Sequence, residues 1–261
     1  MANLQAELEV ALAAMEASFH VKLISTFKPD LICAQVDDEA TAWLSSRAQD
    51  FDQFPVEQGT RIVGILLRQD IVAGKTVGEI MRPLAEGLIV SADMPLADLI
   101  PQLRENHCRL VLRGGRIDGL VTQSDLLKLP VRLMVFAHIT HLEQLMANAI
   151  AARWPNDAWF DLINEERREK INDKENELRN RGMNPPKIEL TEFGDKRDLC
   201  KQIIEGSKKQ FKTELNALRD LRDQLAHAST FIDGTNQKTS LHAFIEKFES
   251  AKRWINTFQQ I

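Results

Sequence analysis

Apolar positions near the start of the chain follow a helical stripe. In residues 3–26 they recur every three or four positions, which places them on one face of an α-helix. The stripe consists of Leu4, Leu8, Leu12, Met15, Phe19 and Leu23. Pro29 follows this segment, and proline commonly stands just beyond the end of a helix. The pattern predicts an N-terminal helix within residues 1–29 that packs on a neighbouring domain or on a second copy of itself.

Residues 30–128 alternate short apolar runs with short helical stretches, and the alternation occurs twice. In the first copy the apolar runs lie at 31–36, 54–56 and 61–67. In the second copy they lie at 88–90, 109–112 and 119–122. Each copy has the order strand, helix, strand, strand, helix. Two internal repeats of about 50 residues, at 30–75 and 76–128, predict an α/β module.

Residues 131–261 show a helical pattern only. A long amphipathic stretch at 132–153 precedes a very polar one at 163–181, in which charge pairs such as Glu166 and Lys170 stand four residues apart. Two further amphipathic segments follow at 211–227 and 241–258. The sequence therefore predicts an all-α domain of four or five helices, and the fold class of the chain is α/β plus all-α.

Composition limits the class of protein. A chain of 261 residues that is 44% hydrophobic can bury about two domain cores. It lacks the roughly 20 consecutive apolar residues of a membrane span and the basic-then-apolar layout of a secretion signal. Cys33, Cys108 and Cys200 stand far apart, without a C-x-x-C pair. We therefore expect a cytoplasmic protein with no membrane partner, no disulfide framework and no structural zinc site.

Charge is distributed unevenly along a chain whose net charge is −5. Residues 196–222 contain 8 basic and 4 acidic residues, a local surplus of +4. Such a run is either a solvated helix face or an anion-binding patch. The surplus is too small to predict a general nucleic-acid coat.

Three segments of the α/β region carry a family resemblance. Residues 119–127 (GLVTQSDLL) resemble the signature G-h-h-T-x-x-D, with h apolar, that ends a CBS repeat. Residues 76–81 (TVGEIM) resemble the stretch that links two such repeats, and residues 54–64 (FPVEQGTRIVG) resemble the paired-strand core of the first repeat. The resemblance covers about residues 30–128 and implies a CBS pair, a module that binds ligands.

The resemblance also implies which residues bind the ligand, an adenosine nucleotide (AMP, ADP or ATP). Thr122 would contact a phosphate or the ribose, and Asp125 would accept the ribose hydroxyls. Ser124 lies between them as a possible helper, while Val90 and Ser91, together with Ile89, lie on the strand that flanks the base. The alternative is structural, with Thr122 as a turn hydroxyl and Asp125 as a helix N-cap.

Two positions depart from the pattern. The first repeat keeps Asp70 but has Leu67 where the hydroxyl belongs, so its site is expected to be empty or altered. In the second repeat Arg109 stands where the first repeat has Pro55. The Arg109 side chain is either a further ligand-binding group, reaching a phosphate, or a surface arginine.

The chain has one candidate catalytic motif, Arg222-Asp223-x-x-x-His227. On a helix Arg222 and His227 stand about 140° apart, whereas Asp223 and His227 share a face, so Asp223 could orient the imidazole. A second copy of the chain, or a cleft against another helix, would have to bring the arginine and the histidine together.

This motif within an all-α domain resembles the HEPN superfamily, many of whose members are metal-independent endoribonucleases that act as dimers. The resemblance implies that His227 is a general base or acid and that Arg222 stabilises the phosphorane. The RNA 2′-hydroxyl would attack its own phosphorus and leave a 2′,3′-cyclic phosphate. The alternative is an ordinary surface ion pair and a histidine favoured by the helix dipole.

We also considered a metal site. His138 and His141 stand three residues apart on one helix, but no third ligand has a suggestive spacing, so no metal is expected. Taken together, the sequence predicts a nucleotide-sensing homodimer whose helical domain cuts RNA. The alternative is a non-catalytic scaffold, responsive to nucleotide, for dimerisation or partner binding.

Overall fold

The computed structural model describes residues 2–47, 51–226 and 237–261. The chain forms two compact units. The α/β unit comprises Met15–Val131, and the helical unit comprises Met1–Ala14 with Arg132–Ile261. Within the described residues no helix is both long enough and apolar enough to cross a membrane.

The N-terminal helix α1 spans Ala2–Ser18 and so ends well before the predicted residue 26. Backbone groups just beyond it bond to the second repeat instead of continuing the helix. The Val21 amide donates to the Met94 carbonyl at 2.9 Å, and the Leu96 amide donates to the Phe19 carbonyl at 2.8 Å. The sequence could not predict this end of the helix, because the apolar residues keep their helical spacing beyond Ser18, where the backbone bonds to the second repeat instead.

The α/β unit contains eight strands and three helices among its described residues. In chain order the strands are β1 (Thr26–Phe27), β2 (Ala34–Gln35), β3 (Gln53–Gln58), β4 (Arg61–Leu67), β5 (Arg82–Pro83), β6 (Ile89–Ser91), β7 (Cys108–Arg113) and β8 (Arg116–Thr122). The helices are α2 (Ala40–Arg47), α3 (Val77–Ile80) and α4 (Leu96–Gln102). They form two four-stranded sheets, with the orders β2-β3-β4-β5 and β6-β7-β8-β1.

The two sheets repeat one pattern. In each, the first strand lies parallel to the second, and the other two pairs are antiparallel. A register shift occurs at the same place in both, after Val56 in β3 and after Val111 in β7. The two sheets thus share one strand order and one pairing pattern. In place of the helix expected after each hairpin, the structure has a short 3₁₀ turn, at Arg68–Asp70 and at Gln123–Leu127.

Each sheet is completed by a strand from outside its own repeat. β1 precedes the first repeat but pairs with β8, and β5 follows the first repeat and pairs with β4. Both contacts need glycine. A Cβ on Gly119 would lie 2.6 Å from ring atoms of Phe27, and one on Gly64 would lie 2.4 Å from the carbonyl oxygen of Arg82.

Apolar side chains fill two regions of the α/β unit. Beneath α2 the Trp43 and Phe54 rings meet edge to face, with centroids 4.9 Å apart. A second cluster joins the two repeats and consists of Ile62, Ile65, Cys108, Leu110 and Leu120. The second cluster packs one face of β4 on one face of the β7–β8 hairpin, and therefore unites the repeats in one core.

The C-terminal region is helical, as predicted. Its helices are α5 (Leu129–Arg153), α6 (Glu165–Asn180), α7 (Phe193–Cys200), α8 (Lys208–Ala226) and α9 (Gln237–Phe258). α6 is the polar segment expected from the sequence, and its Glu166–Lys170 pair has an O–N distance of 2.6 Å. α5 begins in the α/β unit and continues into the helical unit.

α8 and α9 pack through their apolar faces and through one partly buried polar contact. The Phe211 and Trp254 rings meet edge to face at 4.8 Å. The Glu214 carboxylate accepts hydrogen bonds from Trp254 Nε1 at 2.7 Å, Arg253 Nη2 at 2.9 Å and Gln210 Nε2 at 2.9 Å. This carboxylate therefore ties the two helices together beside their apolar contact.

Candidate functional site

Thr122 and Asp125 lie where β8 passes into the 3₁₀ turn. The Asp125 Oδ2 atom accepts hydrogen bonds from the Thr122 backbone N–H at 2.7 Å and from the Thr122 hydroxyl at 3.0 Å. This is a capping box in which Thr122 is the N-cap and Asp125 is the third residue of the turn, so both residues have a structural role, but the N-cap is Thr122 and not Asp125. The cap also fixes the carboxylate and the hydroxyl side by side.

The other oxygen of Asp125 is bound by a residue that the sequence analysis did not single out. Lys128 Nζ lies 2.8 Å from Asp125 Oδ1 and also donates to the carbonyl of Ile24. The Asp125 side chain is 13% exposed and that of Lys128 43%. Its position three residues after Asp125, within the same turn, was the one signal that could have identified Lys128.

The equivalent position in the first repeat has different side chains. Leu67 stands opposite the first residue of β3, as Thr122 stands opposite the first residue of β7. Both oxygens of Asp70 accept hydrogen bonds from Arg82, at 2.8 Å from Nε and 3.2 Å from Nη2. The first repeat therefore has no hydroxyl at residue 67, and the guanidinium of Arg82 bonds both oxygens of its Asp70 carboxylate.

Arg109 does not lie where the sequence alignment of the repeats placed it. The strand registers match Val111 to Val56, and therefore Arg109 to Phe54 rather than to Pro55. Because Cys108 is opposite Thr122 and side chains alternate along a strand, Arg109 points to the other face of the sheet.

Arg109 is also buried, at 5% exposure, so the expectation of a surface arginine is wrong. Its guanidinium donates to the carbonyls of Gln102 at 2.7 Å, Cys108 at 3.0 Å and Asn106 at 3.2 Å. Burial lowers the pKa of the group. The side chain therefore secures the end of α4, and it does not lie beside Thr122 and Asp125.

The remaining residues predicted to contact a ligand divide by sheet face. Val90 is buried and pairs with Val111, on the face opposite Thr122. Ile89 and Ser91 point to the Thr122 face. Ser91 is exposed, and its hydroxyl accepts a hydrogen bond from the Asp93 amide at 3.2 Å. Ser124 is exposed in the turn between Thr122 and Asp125.

In the helical unit, Arg222 forms part of a charged network. Its Nη1 lies 2.7 Å from Glu143 Oε2, and its Nε and Nη2 lie 3.2 and 3.0 Å from Asp223 Oδ1. Glu143 Oε1 lies 3.1 Å from Nζ of Lys196, which is 4% exposed and also donates to the carbonyl of Thr191. Glu143 thus joins a buried ammonium to the guanidinium of the candidate motif.

His227 lies outside the described residues, so its predicted pairing with Asp223 stays a prediction. The described contact of Asp223 is with Arg222. Of the two alternatives for the basic run at 196–222, an anion-binding patch is disfavoured, because five of its eight basic residues contact carboxylates. These five are Lys196, Arg197, Lys201, Arg219 and Arg222. The other three, Lys208, Lys209 and Lys212, stand at the opposite end of α8 from Arg222.

His138 and His141 are core residues. Both are buried, and the ring of His138 packs edge to face on Phe248 with centroids 5.1 Å apart. His138 Nδ1 lies 2.8 Å from the Met134 carbonyl oxygen. Across the ranges that the structure describes, no cluster of three or more His, Cys, Asp or Glu side chains has a metal-binding arrangement.

Comparison with known families identifies the second repeat. Residues 77–132, which include Thr122, Asp125 and Lys128, match the family model of the CBS domain. The chain contains a CBS domain. No curated protein matches the chain in sequence.

Solved structures with CBS domains resemble the chain over less than half its length. The CBS domain of a bacterial CNNM/CorC family Mg²⁺ transporter, in complex with ATP, has 22% identity and a TM-score of 0.39, covering 49% of this chain and 96% of that one. CBSX2 in complex with AMP has 18% identity and a TM-score of 0.38, covering 41% and 93%. A hemolysin-like protein of Oenococcus oeni PSU has 18% identity and a TM-score of 0.37, covering 45% and 93%.

Proposed function

We propose that the α/β unit is a regulatory module that binds an adenosine nucleotide, AMP, ADP or ATP, through its second repeat. The observation that carries this proposal is the Thr122–Asp125 pair, which lies within the segment that matches the CBS domain. CBS domains are nucleotide-binding regulatory modules. All three cysteines are free thiols, which agrees with the cytoplasmic location that we propose.

The chemistry of the pair suits a ribose. An ionised carboxylate offers about four acceptor positions, of which the cap uses two on Oδ2. Oδ1 faces Lys128 and can accept the two hydroxyls of a ribose once the ammonium has moved. The Ile89 and Ser91 side chains, on the same sheet face, would contact the base.

The test is calorimetric titration of the full chain with AMP, ADP and ATP. Asp125→Asn keeps an acceptor for the cap but removes the charge, and we expect it to weaken binding at least about tenfold, since charge-assisted hydrogen bonds contribute about 1.5–3 kcal/mol. Asp70→Asn is the matched control and should bind like the wild type. Absence of binding by the wild type, or a loss confined to Asp70→Asn, would contradict the proposal.

A second proposal concerns the helical unit, a HEPN-like domain that acts as a homodimer and cleaves RNA without a metal. Its support is the placement of Arg222 on α8, with a side chain that is 26% exposed, five residues before His227. The RNA 2′-hydroxyl would lose its proton to His227 and attack the adjacent phosphorus, and Arg222 would stabilise the phosphorane. The bond from phosphorus to the 5′-oxygen of the next nucleotide would then break, leaving a 2′,3′-cyclic phosphate and, after that oxygen takes up a proton, a 5′-hydroxyl.

The contacts of Arg222 favour the alternative, a non-catalytic scaffold for dimerisation or partner binding. Glu143 and Asp223 together offset the charge of Arg222, as expected for an arginine that holds helices together. In either case we propose that nucleotide binding to the α/β unit regulates the helical unit.

Incubation of the protein with structured RNA in EDTA separates the two candidates. The variants are His227→Ala and, as a control, His242→Ala, which removes an exposed histidine of α9. Cleavage that leaves cyclic-phosphate ends, and that only His227→Ala abolishes, would support the ribonuclease. Intact RNA with and without nucleotide, together with a nucleotide-dependent change in the mass measured by light scattering, would support the scaffold.

A further inference from the structure

Lys128 joins three parts of the α/β unit. Its ammonium lies 2.8 Å from Asp125 Oδ1, in the candidate nucleotide site, and donates to the carbonyl of the fully buried Ile24. Residue 24 lies just before strand β1, and Lys128 itself immediately precedes the first residue of α5. The Lys128 side chain thus contacts both the proposed ribose-binding carboxylate and the segment before β1. Its own backbone lies next to the start of α5, the helix that continues into the helical unit.

The two repeats neutralise their signature carboxylates in different ways. Asp70 faces the planar fork of Arg82, which bonds both carboxylate oxygens and is held in place by the pairing of β5 with β4. Asp125 faces a single ammonium on a flexible stem, bonded to one oxygen. A bidentate guanidinium is hard to displace, whereas a half-exposed lysine exchanges its partner at little cost.

We infer that Lys128 is an exchangeable counter-ion of the nucleotide site, which the ribose hydroxyls of the ligand replace at Asp125. This inference rests on the proposed nucleotide binding. Because the ligand must displace the ammonium, Lys128 sets the nucleotide concentration at which the site fills. Because the same ammonium bonds the Ile24 carbonyl, its release loosens the segment before β1 and the start of α5 whenever a nucleotide binds.

The chain offers a matched control for Lys128. At the start of α3, the Glu79 Oε2 atom accepts hydrogen bonds from the Thr76 backbone N–H at 2.8 Å and from the Thr76 hydroxyl at 3.2 Å. The other oxygen of Glu79 lies 2.7 Å from Lys75 Nζ. Lys75→Met therefore removes the ammonium from an equivalent cap away from the site.

The experiment measures the Kd for AMP by calorimetry in the wild type, Lys128→Met, Lys128→Arg and Lys75→Met. Loss of a partly exposed ion pair changes an equilibrium by about two- to fivefold. We expect Lys128→Met to bind AMP about two- to fivefold more tightly than the wild type does. Lys128→Arg should bind AMP more weakly, because a guanidinium can bond both oxygens of Asp125 as that of Arg82 does at Asp70. The Kd of Lys75→Met should equal that of the wild type. A 2′,3′-dideoxy analogue of AMP has no ribose hydroxyl for Asp125, so it should bind Lys128→Met no more tightly than it binds the wild type.

The outcomes separate the inference from the function on which it rests. Tighter binding of AMP by Lys128→Met than by the wild type supports the inference. If the wild type binds AMP and Lys128→Met binds it equally or more weakly, the inference is wrong while the nucleotide site stands. If neither protein binds AMP, the proposed function fails and the inference fails with it.

Discussion

Arg109 in β7 occupies the sheet position that Phe54 occupies in β3. In the first repeat the ring at this position packs on Trp43 of α2. In the second repeat the guanidinium reaches the carbonyl of Gln102 at the end of α4 and two carbonyls in the segment that follows. The repeats therefore share a backbone, but one secures its covering helix by apolar packing and the other by buried hydrogen bonds.

Removal of the Arg109 guanidinium should destabilise the α/β unit without changing its affinity for AMP. Arg109→Met leaves three carbonyls without this donor, one of them buried at Cys108 and two partly buried, and we expect the free energy of unfolding to fall by about 2–4 kcal/mol. Urea denaturation measures the loss, with Arg116→Met in the exposed β7–β8 hairpin as a control that should change by less than about 0.5 kcal/mol. Unchanged stability with lost AMP binding would instead show that Arg109 contacts the phosphate.

Gly119 should resist substitution because Phe27 lies too close. Gly119→Ala would bring a methyl group to 2.6 Å from the ring, and overpacking of this kind costs about 1–3 kcal/mol. Thermal unfolding of Gly119→Ala, alone and combined with Phe27→Ala, tests the cause, since the truncated ring should make the added methyl nearly neutral. Gly87→Ala, where no atom lies within 4 Å, is the control. An unaltered melting temperature in Gly119→Ala would contradict the contact.

Glu143 should stabilise the helical unit chiefly by neutralising the buried ammonium of Lys196. Glu143→Ala leaves a buried ammonium without its carboxylate, and breaking a buried pair costs about 3–5 kcal/mol. Lys196→Met in the same protein removes the unpaired charge and should restore most of the loss. A double-mutant cycle in urea measures this coupling. Additive effects of the two substitutions would show that Arg222, rather than Lys196, accounts for the requirement.

Glu214 should make the stability of the helical unit depend on pH. Partial burial raises the pKa of this carboxyl, but hydrogen bonds from Gln210, Arg253 and Trp254 outweigh it and hold the pKa below its usual value of 4.5. A depressed pKa in the folded state stabilises the protein above pH 4.5, and this contribution disappears as the pH falls through the folded-state value.

We therefore expect Glu214→Gln to lower the free energy of unfolding by about 1 kcal/mol at pH 7 and by progressively less as the pH falls below about 4. Urea denaturation of the variant and the wild type at several pH values measures the difference. A difference that stays constant over this range would mean that the charge of Glu214 does not contribute.

The sequence predicted the repeated strand order and the helical C-terminal region, because both depend on local apolar periodicity. It also pointed to Thr122 and Asp125 as a pair, and they contact each other because they lie within one turn. It could not place Arg109, because the partner of each strand residue, and therefore the sheet face on which its side chain lies, depends on which strands pair. Lys128 was missed for a related reason, since its second partner, Ile24, is more than 100 residues away.

The edge strands have a consequence for the order in which this protein folds. Thr26 and Phe27 leave the ribosome early, yet the strand that they join contains Gly119 and Leu120. Pairing must wait until more than 90 further residues have been synthesised, and such a long loop closes slowly. The sheet β2-β3-β4-β5 can form as soon as Pro83 has been synthesised. The sheet β6-β7-β8-β1 cannot form until β8 has been made, long after its partner strand β1. The proposed nucleotide site, at the end of β8, would therefore form last in its unit.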